Sequence, residues 1–276
     1  MPKVKIPRKS TLIDMTAMCD VAFLLLTFFM LTTKFKTENP ILVDLPKSVS
    51  DTLLQATNNV QVAVTKEGRV FFSVDGQVRR EALANLLFTR KYIKLEYAAT
   101  YNSKTREIEL TSNIPDKLQE KVVREFSLEP NIDVSLANLP IWLQLTQEQR
   151  AALKDSIEKK NWTVNLRYPD NKVVKLQTGL DTTVTVLDGD KKSSDLILLT
   201  YWSRILDRKK ANETAKASPL TANVPFNKLV DSLNSKIALR GDRNVPYPLI
   251  KNVIGALQDA DEYKYYFITN LRKLKK

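Results

Sequence analysis

Ile13-Asp-Met-Thr-Ala-Met-Cys-Asp20-Val-Ala-Phe-Leu-Leu-Leu-Thr-Phe-Phe-Met30 is the most apolar stretch of this chain, and an acid sits well inside it. Extended to 11–33 it has 23 residues, about 34 Å of helix, which matches a hydrocarbon core of about 30 Å. The preceding segment, Met1-Pro-Lys-Val-Lys-Ile-Pro-Arg-Lys9, is basic, whereas Lys34 and Lys36 are followed by Glu38. The positive-inside rule then keeps the N-terminus in the cytoplasm and exports the rest. Met30-Leu-Thr-Thr-Lys34 offers no small-x-small cleavage site, so an anchor is favoured over a signal peptide. A core helix would not directly follow a basic N-terminus, and a surface helix would need a charged face.

Asp20 is the costly residue. An ionised carboxylate in hydrocarbon is penalised by roughly 2.5–3.5 kcal/mol at a helix centre and by less near an end. At 100° per residue Thr16 and Thr27 share its face, a narrow polar stripe suited to a protein partner or a water-filled path. Asp20 is read as a proton or ion carrier, with hydrogen bonding between helices as the bland alternative. Asp14 lies at the cytoplasmic interface, where a capping or dipole role suffices.

The chain's 276 residues include no histidine, one cysteine (Cys19) and six scattered glycines. That excludes His-based triads, His-ligated zinc and haem, disulfide frameworks, multi-cysteine clusters and glycine-rich nucleotide loops. No nucleophile elbow or paired-acid motif is visible. The expectation is no enzyme, no metal and no cofactor. The formal charge is +12. Lys3, Lys5, Arg8 and Lys9 set topology, and the exported remainder is basic enough for an anionic polymer or surface.

The opening stretch closely resembles the membrane helix of the ExbD/TolR family, single-span subunits of proton-driven motors. The family pattern is an Ile-Asn/Asp-x-Thr-Pro start, an Asp four residues after that Thr, then an aliphatic and aromatic run ending in Phe-Met. Only the proline departs, replaced by Ala17. Val43-Asp-Leu-Pro-Lys-Ser48 resembles the family's Val-x-Leu-Pro segment, which pairs or engages partners outside the membrane. This implies a partner-binding role for Val43, Leu45 and Pro46, beside the plainer reading of a Pro-terminated linker. Lys236-Ile-Ala-Leu-Arg-Gly-Asp-Arg-Asn-Val-Pro-Tyr247, the helix that follows and Tyr263-Lys-Tyr-Tyr-Phe-Ile-Thr269 resemble the family's closing strand, turn, helix and strand. Phe126-Ser-Leu-Glu-Pro130 through Leu143 resembles an insertion in a long-domain branch.

The resemblance implies a single-pass protein of the bacterial inner membrane with a cytoplasmic N-terminus and a periplasmic C-terminal domain. Asp20 would carry the proton, with Thr16 and Thr27 as pore-face helpers. Two copies would sit in lipid inside an ExbB-like multi-span ring and energise a TonB-like transducer for outer-membrane transport, without nucleic acid. A TolR-like role in envelope integrity and a membrane-tethered basic binding module without ion conduction are the alternatives.

The expected fold is one transmembrane helix plus an α+β periplasmic domain, a sheet with two helices enlarged by an inserted α/β segment. The expected boundaries are 1–10 cytoplasmic, 11–33 span, 34–58 tether, 59–94 with 225–276 as the family-like domain, and 95–224 as the insertion. Val60-Gln-Val-Ala-Val64 and Val70-Phe-Phe-Ser-Val74 flank Lys66-Glu-Gly68, a hairpin signal, and Leu83, Leu86 and Leu87 have helical spacing. Within the insertion, 92–97 and 106–110 read as a hairpin around Asn102-Ser-Lys104, and 116–126 as a helix. Thr146-Gln-Glu-Gln149 is a capping box opening a helix to about Lys159. Runs 162–168, 172–177 and 182–187 suggest a three-strand meander, 195–206 a helix and 209–218 a flexible joint. Phe226, Leu229, Val230 and Leu233, and again Ile250, Val253, Ile254 and Leu257, fit amphipathic helices. The inserted strands either seat a partner or enlarge the core.

Overall fold

The computed structural model describes residues 15–32, 41, 43–48, 59–159, 163–182, 185–187, 191–217 and 235–271. In chain order the elements are α1 (Met15–Thr32), β1 (Lys47–Ser48), β2 (Asn59–Val64), β3 (Val70–Val74), α2 (Gln77–Thr89), β4 (Ala98–Asn102) and β5 (Glu107–Thr111). Then come α3 (Leu118–Leu128), β6 (Asn131–Ile132), α4 (Leu139–Leu143), α5 (Gln147–Lys159), β7 (Thr163–Arg167), β8 (Val173–Gln177), β9 (Thr185–Leu187) and β10 (Lys191–Ser193). The last are α6 (Asp195–Ala217), β11 (Lys236–Gly241), α7 (Tyr247–Asp259), β12 (Tyr265–Phe267) and β13 (Asn270–Leu271).

The chain divides into two units, Met1–Pro40 and Ile41–Lys276. In the first, α1 has 18 residues, about 27 Å of helix. Among the described residues no helix is long and apolar enough to cross a membrane. The expected span of 11–33 overruns α1 at both ends, into residues outside those described, where segment 1–10 also lies.

The second unit is organised by the valine hairpin. β2 and β3 pair antiparallel from Val60–Val74 to Val64–Val70. At the turn the Gly68 N–H donates to Thr65 O at 2.8 Å. β11 lies parallel to β2, β12 parallel to β11, and β6 extends β3, giving the order β12-β11-β2-β3-β6. Strand alternation sends Val60, Val62, Val64, Val70, Phe72 and Val74 to one face. There they meet Leu83 and Leu87 of α2, Phe126 of α3, Leu196 and Leu199 of α6, and Val253 and Leu257 of α7 in one core. Helices from the expected insertion thus complete the main core. Its strands β4-β5-β7-β8 form a second sheet, over a smaller core built around Ile108, Trp142, Leu153, Val164, Leu166 and Leu176.

The hairpin, α2, α3, α7 and the capping box appear where expected. Thr146 N–H donates to Gln149 Oε1 at 2.9 Å, and Gln149 N–H returns to Thr146 Oγ1 at 3.3 Å. Three expectations need correction. The first strand of the inserted hairpin is Ala98–Asn102, not 92–97, because Ile93 is drawn into the main core and Tyr92 packs on Trp202. The turn accordingly spans 103–106. The meander has two strands: β7 pairs with β8 and, on its other side, parallel with β5, while β9 pairs with β10. The joint 209–218 is helical to Ala217, since its Ala, Lys and Glu are good helix formers and Ala211 is buried. Within the expected tether 34–58, the described residues 43–48 are docked on the second unit. The expected helix at Phe226–Leu233 lies outside the described residues.

Candidate functional site

α1 carries apolar side chains on every side and has Asp20 as its single charged residue. Ten of its large apolar side chains are exposed, Phe23 at 64% and Phe29 at 63% among them. At about 1.5–3 kcal/mol for each side chain buried, covering them is worth roughly 15 kcal/mol or more, comparable to the net stability of a whole domain. The helix therefore requires an apolar surround. Thr16 and Asp20 are exposed, and Thr27 is half-buried with its hydroxyl donating to Leu24 O at 2.9 Å. That bond satisfies the Thr27 hydroxyl within its own helix, as an apolar medium demands. Thr16, Asp20 and Thr27 share one face, in the spacing read from sequence. Cys19, beside the acid, is a free thiol.

The second feature is the docked Val-x-Leu-Pro segment. β1 runs parallel to β13, with Lys47 opposite Asn270 and Ser48 opposite Leu271. Just before it, Pro46 O accepts the Asn270 N–H at 2.9 Å. The turn after β11 holds the other end: Asp44 N–H donates to Asp242 Oδ2 at 3.1 Å, and Arg243 N–H donates to Asp44 O at 2.8 Å. Asn244 N–H reaches Asp242 Oδ1 at 2.9 Å, and the Arg243 guanidinium lies 3.1 Å from the Asp44 carboxylate. The Asn244 amide, with the Asp44 amide and the charges of Lys66 and Arg243, holds the Asp242 carboxyl below the usual range. Val43, Leu45 and Pro46 are all half-buried.

Of the residues singled out in the sequence, Thr16, Asp20 and Thr27 lie together on α1, and Val43, Leu45 and Pro46 lie together in the docked segment of the second unit. Sequence reading missed Asp242 and Arg243 as the hold on Asp44. The signal was the Asp-Arg-Asn order, in which the Asp side chain accepts from the amide two residues on. It could not indicate that the same carboxylate reaches Asp44 in a segment about two hundred residues earlier.

The sequence model described as "Biopolymer transport protein ExbD/TolR" matches residues 7–271 of this chain. No curated protein matches. No solved structure matches. The matched span takes in α1, the hairpin, the inserted segment and the closing β11, α7 and β12. The chain belongs to the ExbD/TolR family of biopolymer transport proteins.

Proposed function

We propose that this chain is the ExbD-like subunit of a proton-driven motor in a bacterial inner membrane. α1, continued to 11–33, spans the bilayer with the N-terminus in the cytoplasm. Asp20 takes up and releases the proton. The observation that carries the reading is an acid on a helix that is otherwise apolar on every side, in a family of biopolymer transport proteins.

Hydrocarbon favours the neutral carboxyl and tolerates the ionised form only where water or hydroxyl groups reach it. Thr16 and Thr27 line that path. The two protonation states then favour different rotational positions of α1 against an ExbB-like ring that holds two copies. A proton crossing 100 mV releases about 2.3 kcal/mol, enough to drive such a step. The second unit passes the displacement to a TonB-like transducer through its strand edges and the Val43, Leu45 and Pro46 segment, with no chemistry of its own.

The test is Asp20→Asn. It should insert and assemble with the ring as the parent does and lose transducer-dependent uptake. Uptake at the parental rate would refute the proton role of Asp20.

A further inference from the structure

One surface of the second unit joins aromatic rings to exposed positive charge. Trp202 of α6 is its centre: Tyr92 packs on it at 6.1 Å between centroids, Tyr201 at 5.2 Å edge-on, and the Arg90 guanidinium lies 5.1 Å from its ring centroid. Tyr92 also borders a cavity of about 450 Å³ with Lys91, Lys94, Tyr97 and Tyr168, in which Glu96 is the only acid among the described residues. Arg90, Lys91, Tyr92, Lys94 and Tyr201 are all exposed. Ile93, buried at 3% exposure, pins the loop so that its neighbours project outward.

We infer that this face rests on an anionic lipid surface, with Lys91 and Lys94 and the tyrosine hydroxyls of the cavity receiving lipid phosphate. Tyr and Trp with Lys and Arg are the side chains that settle at the headgroup level, apolar body inward and polar tip in water. Basic residues near an anionic leaflet are drawn to it, and the attraction fades within a Debye length. Chain length agrees: only ten residues, 33–42, separate α1 from the docked Val43, at most about 36 Å fully extended. The inference rests on the membrane reading of α1. The groove between α2 and α3, lined by Glu81, Asp116, Glu120 and Arg124, has the opposite charge balance and should turn away from such a surface.

The test uses the full chain in nanodiscs containing nitroxide-headgroup lipid, with Cys19→Ser as background. One fluorophore is placed at Ala137→Cys, in the wall of the cavity, and another at Gln119→Cys, in the acidic groove. Quenching at 137 should roughly double when phosphatidylglycerol replaces half of the phosphatidylcholine, and it should fall at about 0.5 M salt. Lys91→Gln with Lys94→Gln should remove the lipid-charge dependence, while quenching at 119 stays low throughout. Equal quenching at the two sites, or none that follows lipid charge, would overturn the inference. So would shielding of the 137 label by a soluble anionic glycan without any lipid response. Alkaline extraction reports separately on α1: release of the chain overturns both readings, whereas retention without charge-dependent quenching overturns the lipid face alone.

Discussion

Arg79 on α2 grips Asp207 on α6 with two parallel bonds, Nε to Oδ1 at 2.9 Å and Nη2 to Oδ2 at 2.6 Å. Oδ2 also accepts from the Ser235 hydroxyl, and Ser235 in turn accepts from Arg204. Both charged side chains are close to buried, at 11% and 7% exposure. The pair joins the helix that follows the valine hairpin to a helix from the inserted segment. A buried charge left alone costs far more than the pair contributes.

Asp207→Ala should therefore destabilise the second unit by about 3–5 kcal/mol, because it strands the Arg79 guanidinium. Arg79→Met with Asp207→Leu should recover much of that loss, since two apolar side chains leave no unpaired charge. Urea unfolding followed by circular dichroism measures both. A double variant as unstable as the single one would refute the account.

The hold on the Val-x-Leu-Pro segment should depend on pH in one direction. The folded Asp242 carboxyl is held below the usual carboxylate range by the Asn244 and Asp44 amides. Its contribution is thus complete above the unfolded pKa and is lost as pH falls through the lower folded one. The protection of the Asp44 and Arg243 amides, relative to their intrinsic exchange rates, should hold from neutral pH down to about 4 and fall only below that. Asp242→Ala should speed exchange at both amides at pH 7 while leaving the valine hairpin protected.

Gln144 closes the free edge of the second sheet. Its Oε1 accepts the Ala99 N–H at 2.7 Å, and its Nε2 donates to Tyr97 O at 3.0 Å and Pro140 O at 3.1 Å. Gln144→Ala should cost about 1–3 kcal/mol by stranding these partners. It should also raise the aggregation rate, because β4 would then present an open edge. Light scattering at the unfolding midpoint tests the second effect.

Gly68 has a φ of 80°, and a Cβ added there would meet Leu249 Cδ1 at 2.6 Å. Gly68→Ala should destabilise the unit by about 1–3 kcal/mol, through the left-handed turn and the displaced side chain together. A thermal midpoint unchanged from the parent would refute it.

Legibility in the sequence follows the range of the interaction. The valine hairpin, the capping box and α7 are local patterns, set by residues within a few positions of one another, and each is seen as read. Segment 92–97 alternates like a strand, yet Ile93 and Tyr92 are drawn to α6 and the main core, and that pull outweighs local preference. The polar run 209–217 looked like a joint because composition alone does not reveal that Ala211 finds a buried contact.

By itself the sequence determined that this chain has an apolar helix with one acid, a basic remainder, and an α+β unit opened by a hairpin and closed by strand, helix and strand. Periodicity, charge and turn chemistry suffice for that, because they act over short stretches of chain. Only the tertiary structure decided that α3 and α6 complete the main core, that β5 lies beside β7, and that Asp44 is held by Asp242. Those pairings join residues from about sixty to two hundred positions apart, where many partners are chemically equivalent and shape and burial in the assembled core select among them.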